Sequence, residues 1–472
     1  MTTRDDAYDL IGVGFGPSNL ALAVRLAQSD AAGTLRTAFL ERQHEFGWHR
    51  GMLLDDSRMQ ISFLKDLAML RDPTSRFTFV NYLFEQGRLQ DFVNLKQFYP
   101  TRIEFHDYLR WVARGFDDLV GYGEDVASVQ PVFDTRDRRV VTHLRVRSTD
   151  ASGRSRERAT RALSVGIGGT PAVPAPFAAL ASRRDPALVH SSAYLSSIER
   201  VVGDGSARKR VAVVGGGQSA AEVFVDLTRR FAHVDATLIM RGPALRPADD
   251  SPFVNEIFNP SFTDTVYAQS DDARRATLET FRSTNYSVVD RPLIESIYEL
   301  FYLQRVRADA RHRLLANAQI DSARRIDSSL AARSDTAADT SGPIELLVRA
   351  GVDGQRSVER FDGVVLATGY RRDAHLKLLE GITDALGESP AHCNVGRDYR
   401  LQTGEHFQPR IYLQGCCEDT HGLSDTLLSV LACRADEIAA SLLQPIARNG
   451  KHDAIRAQAH TGASDSREAF AL

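Results

Sequence analysis

The chain has 472 residues, too many for one ordinary core, so two or three domains are expected. Its 58 basic and 61 acidic residues leave a net charge of only −3, which offers no global field for nucleic acid or an anionic membrane, so binding chemistry must be local. No apolar run reaches the roughly 18–20 residues of a transmembrane helix. The opening MTTRDDAYDL leads toward a strand and not through a secretory leader, so a cytoplasmic location is expected.

The first element is an apolar strand over 8–13, followed by the turn GVGFGPSN and a helix over 19–28. Such a turn lets the backbone approach a pyrophosphate and aims a helix N-terminus at its charge. Its glycines are Gly12, Gly14 and Gly16, while Pro17 stands where the usual fingerprint has a third glycine or alanine. A second strand over 37–40 is closed by Glu41, placed to meet a ribose hydroxyl, which suits FAD. Residues 45–115 are rich in aromatics and read as helices and loops covering a site. The short alternating runs over 126–165 read as an antiparallel meander within the first domain.

After the proline-rich TPAVPAPF comes a second strand, turn and helix, VAVVGGGQSAAE, with Gly215, Gly217 and Ala220 in the three fingerprint positions. Its second strand, ATLIM, ends in Arg241 instead of an acid. A guanidinium there pairs with a 2′-phosphate that an acid would repel, so NADPH is favoured over NADH. For either turn alone the alternative is a tight glycine turn without a ligand. The segment 285–319 is helical in pattern, 328–342 reads as a polar surface loop, and the chain returns through IELLVRA and FDGVVLATGY. The expected fold is α/β, with two doubly wound, Rossmann-like dinucleotide-binding domains for FAD and NADPH and a small, mostly helical substrate region. The expected division is 1–175 for the first part of the FAD domain and 176–345 for the NADPH domain, with a helical insert around 250–320. The FAD domain then returns over 346–445, and 446–472 is a weakly ordered tail.

Several residues are candidates for chemistry. Lys65, in the apolar MQISFLKDL, is either a snorkelling surface lysine or a fixed cation for a substrate carboxylate. Asn255 and Asn285 are either turn and capping residues or donor-acceptor groups for an amino acid. Trp48 and His49 are candidate walls of the flavin site, and Met59 and Gln60 candidate neighbours of its ring. His421 has no Ser/His/Asp order around it that would support acyl transfer. The four cysteines, Cys393, Cys416, Cys417 and Cys433, show neither a CxxC nor a zinc spacing and fit reduced thiols; no metal cluster is legible.

Taken in order, DLIGVGFGPSNLALA, MQISFLKDL, LRDPTSRFTFVNYL, FYPTRIEFHDYLRW, VGGGQSAAE, ADDSPFVNEIFNP, TNYSVVD, LATGY, GRDYRLQT and HGLSDTLLSV resemble the L-ornithine N-hydroxylases of siderophore biosynthesis. These belong to the flavin-dependent N-hydroxylating monooxygenases, and the resemblance runs from about residue 8 to 440. It implies that Lys65 and Asn255 hold the amino acid's backbone charges, and that Asn285 and the backbone carbonyl of Leu423 meet its side-chain amine. It implies NADPH contacts for Arg102 and Arg241 and places Met59 and Gln60 beside the flavin. The expected FAD set is Gly12, Gly14, Gly16, Pro17, Ser18, Asn19, Glu41, Trp48, His49, Met59, Gln60 and Ser424. The expected NADPH set is Arg102, Gly215, Gly217, Gln218, Ser219, Arg241 and Asn285. The implied reaction converts L-ornithine and dioxygen to N(5)-hydroxy-L-ornithine through a flavin hydroperoxide, with no protein acid or base doing the chemistry. Alternatives are a lysine or diamine N-hydroxylase or, from another class, an FAD/NADPH reductase; a homo-oligomer stays open.

Overall fold

The computed structural model describes residues 6–327, 341–351, 353–387, 389 and 393–444. The expected tail lies outside the described residues, as does the expected surface loop except for its last two positions. In chain order, the elements that position the site are β1 (Leu10–Val13), α1 (Pro17–Ala27), β2 (Thr37–Glu41), α2 (Arg102–Arg114), β3 (Val120–Tyr122), β4 (Ala162–Val165) and β5 (Leu188–His190). They continue with β6 (Lys209–Val214), α3 (Gln218–Arg230), β7 (Val234–Ile239), α4 (Asp271–Asn285), α5 (Arg291–Val306), β8 (Arg313–Leu315), β9 (Gly363–Leu366), β10 (Arg410–Leu413) and α6 (Leu431–Leu443).

Two five-stranded sheets organise the molecule, one in the order β10-β4-β1-β2-β3 and the other β8-β7-β6-β9-β5. All pairings in both are parallel. Every residue of β1, β4, β9 and β10 is buried, the pattern of strands covered on both faces. An antiparallel three-stranded sheet flanks each: Glu124–Phe133, Val141–Asp150 and Ser155–Thr160 near the first, and Ala318–Asp327, Ser341–Ala350 and Gln355–Phe361 near the second.

The chain passes from the first sheet to the second and back through two short strands, Thr170–Pro171 and Tyr370–Arg371, which pair antiparallel side by side. This corrects the expected boundary at 345/346. The strand of FDGVVLATGY is β9, and its residues Gly363–Leu366 pair with Val211–Val214 of β6, so the second unit extends to the LATGY segment. The apolar run of β9 is long enough for either sheet, and only pairing decides which it joins. A second difference follows the helical pattern of 285–319: helix α5 ends at Val306, and Arg313–Leu315 becomes an edge strand of the second sheet.

Pro17 is explained by its position. It is the first residue of α1, where the missing N–H costs nothing and the fixed φ suits a helix. Residues 77–116 carry an aromatic core in which Phe79, Tyr82, Phe105 and Tyr108 are fully or almost fully buried, with Phe79 and Phe105 stacked at 5.8 Å. Among the described residues no helix is long and apolar enough to cross a membrane, and no group of three or more His, Cys, Asp or Glu side chains is arranged to hold a metal.

A buried ion pair ties the C-terminal helix to the first glycine turn. Arg434 of α6 donates to Asp425 Oδ1 at 3.0 Å, to the Asp425 carbonyl at 2.6 Å and to Ser18 Oγ at 3.0 Å. Both side chains are almost completely enclosed. Removing one partner strands the other charge, so Arg434→Met is expected to destabilise the protein by about 3–5 kcal/mol. Arg434→Met combined with Asp425→Asn is expected to cost less than Arg434→Met alone, as urea denaturation of the two variants will show.

Candidate functional site

The first turn is shaped by close approach. Gly14 has φ +80°, and a Cβ there would lie 2.6 Å from the carbonyl oxygen of Gly166. A Cβ on Gly16, by contrast, would meet nothing within 4 Å, so the start of α1 presents open backbone. Glu41 at the end of β2 accepts from the N–H groups of Phe15 at 2.7 Å and Gln43 at 2.9 Å, which fixes the carboxylate beside the turn. Asn19 departs from the expected FAD set. It has no exposed surface, its amide nitrogen donates to the carbonyls of Val13 (3.2 Å) and Gly14 (2.7 Å), and its oxygen accepts from Ser164 (2.7 Å) and Gln414 (2.9 Å). It knots β1, β4 and the end of β10 beneath the turn and cannot touch a ligand. Ser424, at 1 % exposed, offers a cofactor at most an edge.

Trp48 is half-buried and His49 exposed. The His49 side chain has open surface and is packed by protein on its other sides. Burial, with Arg102 and Arg372 nearby, holds its pKa down to about 4. Trp48 stands edge-on to His49 at 4.7 Å, and His49 meets Tyr370 of LATGY at 6.2 Å, so both units contribute to this ring cluster. Met59 is buried against the aromatic core, whereas Gln60 is exposed.

The second turn repeats the design. Gly215 has φ +152°, and a Cβ there would come within 2.4 Å of the Ala367 carbonyl. Gly217 precedes α3, whose first residues are Gln218 and Ser219. Arg241 is exposed just past β7 and has no ion-pair or hydrogen-bond partner among the described residues, leaving its guanidinium for an anion. Arg102 departs from expectation. Its fork binds Glu222 of α3 with two bonds of 2.8 and 2.9 Å and also donates to the Met52 carbonyl at 2.8 Å, so it joins the two units instead of standing free for NADPH.

Lys65 is half-buried, and among the described residues its ammonium has no hydrogen-bond or ion-pair partner; burial lowers its pKa. Its neighbour Asp66 faces inward and accepts from the N–H groups of Ala68 (2.8 Å), Met69 (2.6 Å) and Phe79 (2.7 Å), which fixes the turn that carries Lys65. Burial nevertheless pushes the Asp66 carboxyl up to about 6. Asn255 precedes the short turn Glu256–Phe258 and donates to the Asp250 carbonyl at 2.8 Å. Asn285 ends α4 with no side-chain hydrogen bond among the described residues. Leu423 opens the turn Leu423–Thr426, against which both α4 and the Glu256–Phe258 turn pack. The structure thus gathers the segments of Asn255, Asn285 and Leu423, and from the stretch before Lys65 Gln60 donates to Oδ1 of Asp290, at the start of α5, at 3.1 Å.

Glu222, Asp290, Tyr370 and the Arg434–Asp425 pair were not singled out from the sequence. Glu222 and Asp290 had a usable signal, an acid in an otherwise small-residue turn-helix and an acid immediately before a helix. Their partners lie too far along the chain to be read from spacing.

Two parallel sheets, each carrying a glycine-rich strand-turn-helix, together with the relatives below, define a flavoprotein oxidoreductase that uses a pyridine nucleotide. The model of the L-lysine 6-monooxygenase/L-ornithine 5-monooxygenase family matches residues 6–372. The chain belongs to that family. It is 62 % identical over 421 residues to the L-ornithine N(5)-monooxygenase of Burkholderia cepacia, covering 89 % of this chain and 90 % of that protein. Among solved structures it resembles the ornithine hydroxylase of Pseudomonas aeruginosa with a TM-score of 0.82 and 46 % identity, over 92 % of this chain and 98 % of that one. The Kutzneria sp. 744 ornithine N-hydroxylase, named with reduced FAD, NADP⁺ and L-ornithine, gives a TM-score of 0.81 and 36 % identity, over 92 % of this chain and 99 % of that one.

His421 lies within the HGLSD segment but is fully buried, stacked on Tyr399 at 4.1 Å, so it acts in the fold and not on substrate. Burial holds its pKa down to about 4, below the 6.5 of a free histidine. The unfolded chain therefore binds the extra proton first, and the stabilisation is complete above pH 6.5 and lost as the pH falls toward 4. This group is expected to cost up to about 3 kcal/mol of stability across that window. Denaturation curves of His421→Gln are expected to show a shallower pH dependence there than those of the wild type.

Proposed function

We propose that this protein hydroxylates the side-chain amine of L-ornithine to N(5)-hydroxy-L-ornithine, consuming NADPH and dioxygen, as a step of hydroxamate siderophore biosynthesis. The activity named for the relatives supports the reaction, and the unpaired, half-buried ammonium of Lys65 carries the amino-acid part of the reading. A lysine left without a counter-ion at such a position is a ready partner for an α-carboxylate. We assign the unit of the first sheet to FAD and that of the second, through LATGY, to NADPH. The open backbone at Gly16 and the fixed carboxylate of Glu41 suit an FAD pyrophosphate and ribose, and the free guanidinium of Arg241 suits a 2′-phosphate.

Bound FAD supplies the redox and oxygen-activating chemistry, and NADPH the reducing equivalents. The chain's own residues bind and orient. Lys65 and Asn255 anchor the α-carboxylate and α-amine, so that Asn285 and the Leu423 carbonyl receive the side-chain amine at the far end. Low hydration around Leu423 favours the neutral amine, the form that can attack. Trp48, His49 and Gln60 wall the flavin site and limit water. We place the protein in the cytoplasm, a reducing compartment that suits its four free cysteines.

Hydroxylamine formed per NADPH consumed, compared for L-ornithine, L-lysine and putrescine, tests the substrate. Product close to stoichiometric from ornithine alone is expected, whereas NADPH oxidation without hydroxylamine from any of the three overturns the assignment. In the same assay Lys65→Ala is expected to raise the apparent KM for ornithine by about tenfold or more and to weaken coupling more than it slows flavin reduction. Separately, Arg241→Ala is expected to raise the KM for NADPH by about tenfold or more while leaving that for NADH near its wild-type value, as steady-state kinetics with both nucleotides will show.

A further inference from the structure

Asp290 lies where the TNYSVVD segment meets helix α5, and its bonding is unusual for that position. As the N-cap of α5 it is expected to accept from the helix's own first N–H groups, yet its side chain makes no capping bond. Its two carboxylate oxygens accept instead from Gln218 Nε2 at 3.0 Å and Gln60 Nε2 at 3.1 Å. Its backbone N–H donates to Gln218 Oε1 at 2.9 Å. Gln218 begins α3 directly after the second glycine turn, and Gln60 lies on the loop of the first unit.

The geometry specifies an aspartate. The amide oxygen of Gln218 is taken by the Asp290 N–H, so its nitrogen must face the side chain of residue 290. Gln60 brings a second nitrogen to the same side chain, so position 290 has to supply two acceptors. A carboxylate does so, whereas an asparagine offers one acceptor and one donor and fits only if the Gln60 amide turns over to accept. Gln218 Nε2 also donates to Glu222 Oε1 at 3.0 Å, and Glu222 in turn holds Arg102, so the bridge is one part of a continuous polar seam between the two units.

We infer that Asp290 is a positioning residue that holds the nicotinamide-nucleotide turn, through Gln218, in register with the flavin-side loop, through Gln60. This rests on the cofactor assignment proposed above. Transfer between groups carried by two units is sensitive to their relative placement, and a misplacement of about 1 Å can cost up to about 10²-fold in rate. The carboxylate forgoes its local cap to fix that placement.

The test compares wild type, Asp290→Ala, Asp290→Asn, Gln60→Ala and the double variant Asp290→Ala/Gln60→Ala. Amide hydrogen exchange is measured on the FAD-loaded protein without NADPH, and anaerobic flavin reduction over a range of NADPH concentrations. In Asp290→Ala, exchange is expected to rise in both 57–64 and 216–222. The limiting reduction rate is expected to fall on the order of tenfold, with the NADPH Kd changed by less than about a factor of two. Asp290→Asn is expected to lie between, and remains the readable variant if the alanine protein does not fold. Because Asp290 acts through Gln60, the double variant is expected to be no slower than the slower of Asp290→Ala and Gln60→Ala. Reduction at the wild-type rate, faster exchange confined to the first turn of α5, or losses that multiply in the double variant would each overturn the inference. Wild-type hydroxylamine formation from ornithine tests the proposed function itself, independently of any variant at 290.

Discussion

The bidentate pair between Arg102 and Glu222 is the constraint on which the relation of the two units depends. Arg102 stands at the start of α2, in the unit of the first sheet, and Glu222 one turn into α3, behind the second glycine turn. Glu222 is buried, and only about an eighth of the Arg102 side chain is open, at 12 %. Such a pair contributes little net stability, because desolvation offsets most of the attraction. Its worth lies in what breaking it would cost and in the planar geometry a two-bond fork demands. The same pair shows a residue that family resemblance assigns to NADPH spending both terminal nitrogens on protein, Nη1 on Met52 and Glu222 and Nη2 on Glu222.

Around this pair the joint is built from small, individually weak features that agree with one another. The paired linkers Thr170–Pro171 and Tyr370–Arg371 limit how far the second sheet can swing. Gly51 packs so closely that a Cβ there would lie 2.1 Å from the Ser192 carbonyl, which locks the loop after Trp48 and His49 onto the second unit. His49, Tyr370 and His190 then form a continuous edge-on ring series, 6.2 and 5.3 Å apart. None of these contacts is large, but each joins a different part of the two units.

What could be read in the chain follows from the range of the interactions involved. The two strand-turn-helix units, and the places of Glu41 and Arg241 at the ends of their second strands, were legible because such a unit is a local object, with its parts in fixed sequence order. Asn19 was misjudged for the same reason: its place in the turn is local, but the atoms that claim its amide come from Ser164 and Gln414. Strand β9 was given to the wrong unit because four buried apolar residues carry no label for their neighbours. Asp290 falls within the helical pattern of 285–319, and only the fold reveals that its carboxylate is turned away from its own helix. Sequence separation, not chemistry, sets the limit.

The same reasoning bears on how an enzyme of this architecture can prefer ornithine to lysine. A pocket that merely encloses the methylene chain discriminates one carbon by roughly 1–3 kcal/mol. A stricter filter is available when the two ends of the substrate are held by segments that cannot move together. Here Lys65, the proposed anchor for one end, stands on a turn pinned by three backbone bonds to Asp66. Asn285 and Leu423, the partners proposed for the other end, stand where α4 meets the Leu423–Thr426 turn, which is itself held through Asp425 by the buried Arg434. A longer chain anchored at Lys65 has to displace one of these braced segments or leave its amine off the partners that orient it. Length selection in such a site is a property of the braces behind the contacts, and only secondarily of the contacts themselves.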